Sequence, residues 1–423
     1  MTFEECRIAM RGLSRSLENY ANLIVRKGAA VQPGQELVVS APVERGDFVR
    51  RVVRCAYAAG AAHVTTIWHD DVVTKMTYQN VDLPYFQHVP DWQVAQLNGL
   101  AEAGASFLFL EGTDHAAFDE VDPAKPAAAA RARNLECRSF RDGMDFGRNQ
   151  WCIAGVPVEG WARTLYPDVS AEEATYRTWV AILSAARADG EDPQVDWETH
   201  DATFARNRRF LNSGSFVELR YRAGNGTNLT VGLNPGHHWE GGSARTQGGV
   251  TYFPNIPTEE VFTTPDRLRA EGVVHSAMPL VHSGHVIDDF WLRFEGGQVV
   301  DFDAKRGKEA LRQVLDTDEG ARRLGECALI SKNTPIRQSR MLFYSTLFDE
   351  NASCHLALGM GFPECLEGGL AMDKDQLLAH GVNQSATHVD FMVGTDDLSV
   401  VGVTAAGEEV PVFVSGQWAW EAE

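Results

Sequence analysis

Residues 33–68 constrain the fold more than any other stretch. PGQELVVSAPV (33–43) opens on a turn and runs into an apolar strand. ERGDFVRRVVRCAYA (45–59) has the apolar spacing of an amphipathic helix and is closed by Gly60. AHVTTIW (62–68) then reads as a second strand. Strand, helix and strand joined by links this short make a βαβ unit, with parallel strands and a right-handed crossover. SFLFLEG (106–112) fits the same sheet. No GxGxxG is present, so the sheet is not read as a dinucleotide site, and a scaffolding role is the plainer reading.

Around this unit, residues 4–28 show helical spacing up to a glycine. The Ala-, Arg- and Pro-rich stretch 120–140 predicts a helix leaving the sheet, and 168–190 a helix capped by Ser170 with Glu173. EDPQVDWETHD (191–201) reads as a linker. From residue 215 the texture changes to short β-runs and glycine turns, which predicts an antiparallel, barrel-like or strongly curved sheet. A helix is expected over 304–315, and another opened by 316–319 that ends near Glu326. The fold class expected is α/β, in the wider sense of an α+β multidomain chain. An N-terminal α/β domain with a parallel sheet covers 1–200, and a C-terminal β-rich domain covers 201–423.

Charge narrows the partners. Lys and Arg total 38 against 58 Asp and Glu, a net charge of −20. Binding a phosphate backbone or an anionic membrane would need basic patches, so neither nucleic acid nor membrane is an expected partner. MTFEECRIAM at the N-terminus lacks a secretory signal's apolar run, and no stretch approaches the ~20 apolar residues of a membrane span. The 7 cysteines are scattered and include no CxxC. That pattern suits a reducing compartment, and a cytoplasmic location is expected.

The chemistry concentrates in four short segments. On a strand, residues two apart share a face, so His388 and Asp390 in THVDFMVG project together while Val389 and Phe391 face the other way. Alone, such a pair is better explained by a His–Asp hydrogen bond than by a metal. FDENASCHLALG (348–359) supplies Glu350 and His355, RRLGECAL supplies Glu326, and FPNIPTEEVF supplies Glu259 and Glu260. Each glutamate is unremarkable by itself. Together, ionised Glu260, Glu326, Glu350 and Asp390 carry the charge that would balance two divalent cations, and without cations they would repel one another. Oxygen and imidazole donors without sulfur suit zinc, cobalt, manganese or magnesium.

The chain resembles the M29 family of metalloaminopeptidases over nearly its whole length. The resemblance begins at NLIVRKGAAVQPGQELVV and AYAAGAAHV and continues through GNGTNLTVGL and NIPTEEVFTTP. It is closest in LGECAL, FYSTLFDENASCHLALG and THVDFMVG. It implies two bound metal ions, with ligands at Glu260, Glu326, Glu350, His355, His388 and Asp390. Glu260 is preferred to Glu259 on the register of the motif. It further implies an aminopeptidase that hydrolyses N-terminal residues from short peptides through a two-metal-activated water, with Glu326 shuttling the proton. A homodimer whose sites face an internal cavity is also implied. One position departs from the family pattern. Phe362 stands where the family usually has a tyrosine, and Tyr344 or Tyr252 are the candidates to supply the missing hydroxyl.

Two other chemistries compete. His355, His388 and Asp390 alone would make a mononuclear non-haem iron site, as in ring-cleaving dioxygenases of a related fold. The three glutamates argue for two metals instead. Cys354 and His355 could form a nucleophile and base, but neighbours on an extended segment point to opposite faces, so Cys354 reads as a packed residue. His237 and His238, His282 and His285, and Asp288 and Asp289 lie beside glycine turns where surface roles are the plainer reading. Trp239 is expected to pack the β-rich part.

Overall fold

Leu37, Val38 and Val39 are buried in the strand Glu36–Pro42, the near-continuous apolar run expected of a parallel strand covered on both faces. In the computed structural model, which describes residues 1–423 apart from 113, 115, 116, 119, 283, 284 and 423, this strand is flanked by two others. It pairs in parallel with His63–His69 on one side and Ser106–Glu111 on the other. Trp151–Gly155 and the short Asn255–Ile256 extend the sheet, again in parallel. The helix Gly46–Ala59 between the first two strands buries Phe48, Val49, Val52, Cys55 and Ala56. It stops at Gly60, whose φ of +98° is the left-handed cap that glycine adopts without a Cβ clash. The βαβ reading therefore holds.

The chain divides into two units, Met1–Thr199 with Ser243–Thr258, and His200–Gly242 with Glu259–Glu423. Segment 243–258 thus returns to the first unit, where it adds the last strand of the parallel sheet. Two local expectations fail here. The predicted helix over 4–28 breaks at Leu13 into Phe3–Gly12 and Ser14–Leu23, followed by a wider π-helical turn over Ile24–Gly28. Residues 191–201 do lead from one unit into the next, but as helix and not as an irregular linker, because Pro193–Ser213 is one helix. Trp197, Phe204 and Leu211 recur every seventh position and are all buried, a helical face that the surrounding polar residues disguised.

The second unit is antiparallel. A nine-stranded sheet contains Phe216–Arg222, Asn228–Leu233, Pro265–His275, His285–Glu295, Gln298–Arg306 and Ser399–Thr404 among its strands. A separate four-stranded sheet is ordered Val261–Thr263, Leu324–Leu329, His355–Gly359, His388–Met392. One apolar core joins them. Tyr221, Val231 and Phe290 from the larger sheet meet Cys327, Leu356 and Phe391 from the smaller. Trp239 belongs to that core, as expected. Residues 283 and 284, between His282 and His285, lie outside the described residues.

Glu326 is not at a helix end. Residues Gly320–Arg322 form a single 3-10 turn, and Glu326 lies within the strand Leu324–Leu329. All six residues of that strand are buried, so no polar alternation marked it as a strand.

Candidate metal centre

Alternation on the four-stranded sheet separates its two faces. Val261, Cys327, Leu329, Leu356, Leu358, Val389 and Phe391 enter the apolar core. The opposite face carries His355, Ala357 and Gly359 from one strand and His388 and Asp390 from its neighbour. Glu326 reaches this face through a register shift between Leu324 and Glu326. Leu324 pairs with Leu358, while Glu326 pairs with Ala357, which in turn pairs with Asp390. Two carboxylates thus flank an alanine across three strands, and its side chain places no more than a methyl group between them.

Glu260 and Glu350 arrive from outside the strands. Glu260 precedes the strand Val261–Thr263, and its Oε2 lies 3.4 Å from His355 Nε2. Glu259 turns elsewhere, to His200 Nε2 at 3.6 Å, so the structure brings Glu260 rather than Glu259 to the cluster. Glu350 opens a 3-10 turn, Glu350–Ala352, after the helical turn Thr346–Asp349. The Asp349 carboxylate accepts from the backbone N–H groups of Phe343 at 2.7 Å and Ser345 at 2.9 Å, which fixes that turn. Asn351 is fully buried; its side-chain oxygen accepts from Glu259 N–H at 2.7 Å and its amide donates to Leu347 O at 3.0 Å. These supporting residues escaped the sequence reading, because an Asp and an Asn beside a glutamate carry no distinguishing pattern.

Both imidazoles turn Nδ1 toward a backbone carbonyl, His355 toward Ser353 O at 3.3 Å and His388 toward Met360 O at 2.8 Å. With Nδ1–H donating there, each Nε2 faces the carboxylates. His388 Nε2 is 3.2 Å from Glu326 Oε2 and 3.1 Å from Asp390 Oδ1, and His355 Nε2 is 4.0 Å from Glu326 Oε2. Asp390 Oδ1 is buried and in charge contact with His388, but it has no well-aligned hydrogen bond. Among the described residues, no lysine or arginine forms an ion pair with any of these carboxylates.

Protons take up the resulting strain. Burial, then the nearby Glu326, pushes Glu260 up to about 8. Burial, then Glu260, Asp390 and Glu326, holds Glu350 well above the usual carboxylate range. Burial would lower His388, but Asp390 and Glu326 raise it to about 11. Burial works against His355 as well, and Glu326, Asp390 and Glu260 still raise it. Asp390 is raised by burial but held low overall by His388. Such a self-repelling, acceptor-rich cluster fits cations: two ring nitrogens are presented as donors of electron pairs, and one buried oxygen lacks a hydrogen bond. Two sets of three could each hold an ion, Glu260 with Glu326 and His355, and Glu326 with His388 and Asp390, each set's ligand atoms lying within 4.8 Å of one another. Glu326 belongs to both.

The thiol reading fails on geometry. Cys354 Sγ accepts from Ile330 N–H and donates to Ile330 O, both at 3.3 Å, and burial first of all pushes the thiol up to about 12. His355 turns its Nε2 to the carboxylates instead. His237 Nδ1–H donates to Asn234 O at 2.8 Å, and His238 pairs with Glu240 at 3.3 Å, so neither joins the cluster.

Comparison with known proteins gives this arrangement a context. The family model for thermophilic metalloproteases (M29) matches residues 13–418. Aminopeptidase 2 of Geobacillus stearothermophilus is 42% identical over 412 residues, 97% of this chain and 100% of that protein. The structure of wild-type AmpT from Thermus thermophilus matches with a TM-score of 0.89 at 37% identity, covering 96% of this chain and 100% of that one. The 2,5-dihydroxypyridine dioxygenase of Pseudomonas putida KT2440 shares the fold alone, with a TM-score of 0.50 at 11% identity over 95% of this chain and 96% of that one. With the family match spanning the site and both units, and a relative this similar along its whole length, the chain belongs to the M29 family of thermophilic metalloproteases.

Proposed function

We propose that the chain is a metalloaminopeptidase that releases N-terminal residues from short peptides, with Glu260, Glu326, Glu350, His355, His388 and Asp390 holding two divalent cations. The observation that carries this reading is the membership of Glu326 in both three-residue sets. A carboxylate common to both sets is what a pair of ions would need as a shared ligand. Bound divalent cations would supply the positive charge that polarises a peptide carbonyl and eases water deprotonation near neutral pH. The donor set, oxygen and imidazole without thiolate, suits zinc, cobalt, manganese or magnesium.

The protein's own groups divide the remaining work. The acidic surroundings, in a chain of net charge −20, favour a substrate with a protonated α-amine. Glu326, central and buried, is the group we assign to carry the proton toward the leaving amine. The Nδ1 bonds of His355 and His388 hold both rings so that Nε2 stays directed into the cluster. A one-metal iron site would need His355, His388 and Asp390 as one set, but the two imidazoles fall in different sets.

We infer in addition a cytosolic homodimer. The cysteines are all free and buried, which supports a reducing compartment, and no helix among the described residues is long and apolar enough to cross a membrane. Sedimentation tests the dimer. For the activity, the purified chain is stripped of metal, reconstituted with cobalt or zinc, and assayed on aminoacyl-anilides alongside metal analysis. Two ions per chain and metal-dependent release of the N-terminal residue are expected. One ion, iron dependence and no peptide turnover would defeat the proposal.

A further inference from the structure

An apolar wall stands beside the carboxylates. Phe262 pairs with Ala328, and Ala328 pairs with His355, so Phe262 lies on the cluster face of the sheet in the same row as that imidazole. The ring of Phe362 is 5.0 Å from the His388 imidazole and 5.3 Å from the Phe262 ring, which it meets edge-on at 65°. Both phenylalanines are only half-buried, whereas Phe391 on the core face of the same sheet is 1% exposed.

The wall is built on rigid parts. Phe362 N–H donates to Thr264 Oγ1 at 3.3 Å, and that hydroxyl donates to Gly325 O at 2.7 Å. Thr264 is fully buried. A Cβ at position 361 would come within 2.5 Å of the same Oγ1, so the chain approaches Thr264 this closely because residue 361 is glycine. Neither phenyl ring can donate or accept a conventional hydrogen bond, and a charged side chain laid against them would lose hydration without replacement. Recognition sites of this kind pair a few polar anchors with apolar walls, and here the anchors are the adjacent carboxylates and imidazoles.

We propose that Phe262 and Phe362 receive the side chain of the substrate's N-terminal residue and make the enzyme select large apolar residues there. The inference rests on the aminopeptidase reading above. An exopeptidase encloses the N-terminal residue while the rest of the peptide leads away, so a half-buried wall touching the cluster meets that residue first. Selection then comes from apolar area removed from water, with no polar group on the wall to satisfy a charged competitor.

The test measures kcat and KM for the metal-loaded enzyme on two dipeptide series. One varies the first residue over Leu, Phe, Gly and Asp before a fixed Ala; the other varies the second residue after a fixed Leu. Leu and Phe in first position are expected to exceed Gly and Asp by roughly 10- to 100-fold in kcat/KM. Phe262→Ala and Phe362→Ala should each erase most of that preference, chiefly through a raised KM for the Leu and Phe peptides. Phe262→Ala, whose ring does not lie over His388, should also retain the full metal content. Phe362→Tyr should keep the preference for Leu and Phe. Turnover with no first-residue preference, or a preference that follows the second residue, overturns the inference and leaves the aminopeptidase reading intact. No turnover of any peptide strikes that reading and takes this inference with it.

Discussion

The backbone N–H of Glu259 donates to the side-chain oxygen of Asn351 at 2.7 Å, in a fully buried contact. It ties together the two stretches of chain that bring Glu260 and Glu350 to the cluster. The other four cluster residues are held by strand pairing. Asn351→Ala leaves a buried N–H without its acceptor, which should cost about 1–3 kcal/mol of stability. It should also loosen Glu260 against Glu350 and weaken metal binding by roughly 10- to 100-fold. Calorimetric titration of the stripped protein with zinc, beside a thermal melt, separates the two effects. A variant that melts lower yet binds metal normally would reduce Asn351 to a packing role.

Ala357 pairs with both Glu326 and Asp390, and it is fully buried. A larger side chain there would project into the space between the carboxylates. Ala357→Leu should therefore abolish binding of at least one ion, at a packing cost of about 1–3 kcal/mol. Circular dichroism should show a folded protein, and metal analysis a deficient one. A folded variant with full metal content would mean that the space above Ala357 is not where the ions sit.

Metal removal should make stability depend on pH in one direction. Glu260 is raised to about 8 and His388 to about 11, so the metal-free native state holds more protons than the unfolded chain across this range. The contribution of Glu260 is fully present below its unfolded value, roughly 4.3, and is lost as pH rises through about 8. That of His388 is fully present below roughly 6.5 and is lost as pH rises toward about 11. Both signs agree. Urea midpoints of the chelated protein should fall as pH rises from about 5 to about 9. Metal-loaded protein should show a flatter profile, since cations replace the protons, and loading should release protons into weak buffer. A chelated protein that gains stability over the same range would contradict the assignment.

The sequence disclosed the βαβ unit because Leu37–Val39 and the helix after it carry opposite periodicities side by side. It disclosed His388 and Asp390 for a similar reason, since a half-buried strand writes its two faces into alternate letters. Glu326 was recognisable as a residue of interest but not as part of a strand. Every neighbour from Leu324 to Leu329 is buried, and the bulge that turns Glu326 away from the core depends on a partner strand about thirty residues later. Glu260 was preferred to Glu259 on the register of the family motif alone, since local pattern does not tell the two apart; the fold sends one to His200 and the other to His355. Asn351 was invisible because its role is a contact with residue 259, and no local pattern encodes a contact at that separation.

Glu350 is the one cluster residue outside both three-residue sets, and it decides whether the charge count is right. Its carboxylate is raised well above its usual range, by burial first and then by Glu260, Asp390 and Glu326, the three carboxylates that those sets contain. Glu350→Gln keeps the volume and the nearby Asn351 contact but removes one negative charge of the four. Three carboxylates no longer balance two divalent cations, and the weaker site should empty. The His388, Asp390 and Glu326 set retains its donors, so one ion per chain should remain bound. Peptidase activity should fall roughly a hundredfold or more, as expected when a pair of ions no longer acts together. Equilibrium dialysis against zinc reads the stoichiometry directly, and a thermal melt confirms that the chain is folded. Two ions retained at unchanged affinity would remove Glu350 from the ligand set and leave Glu260, Glu326, His355, His388 and Asp390 to hold both.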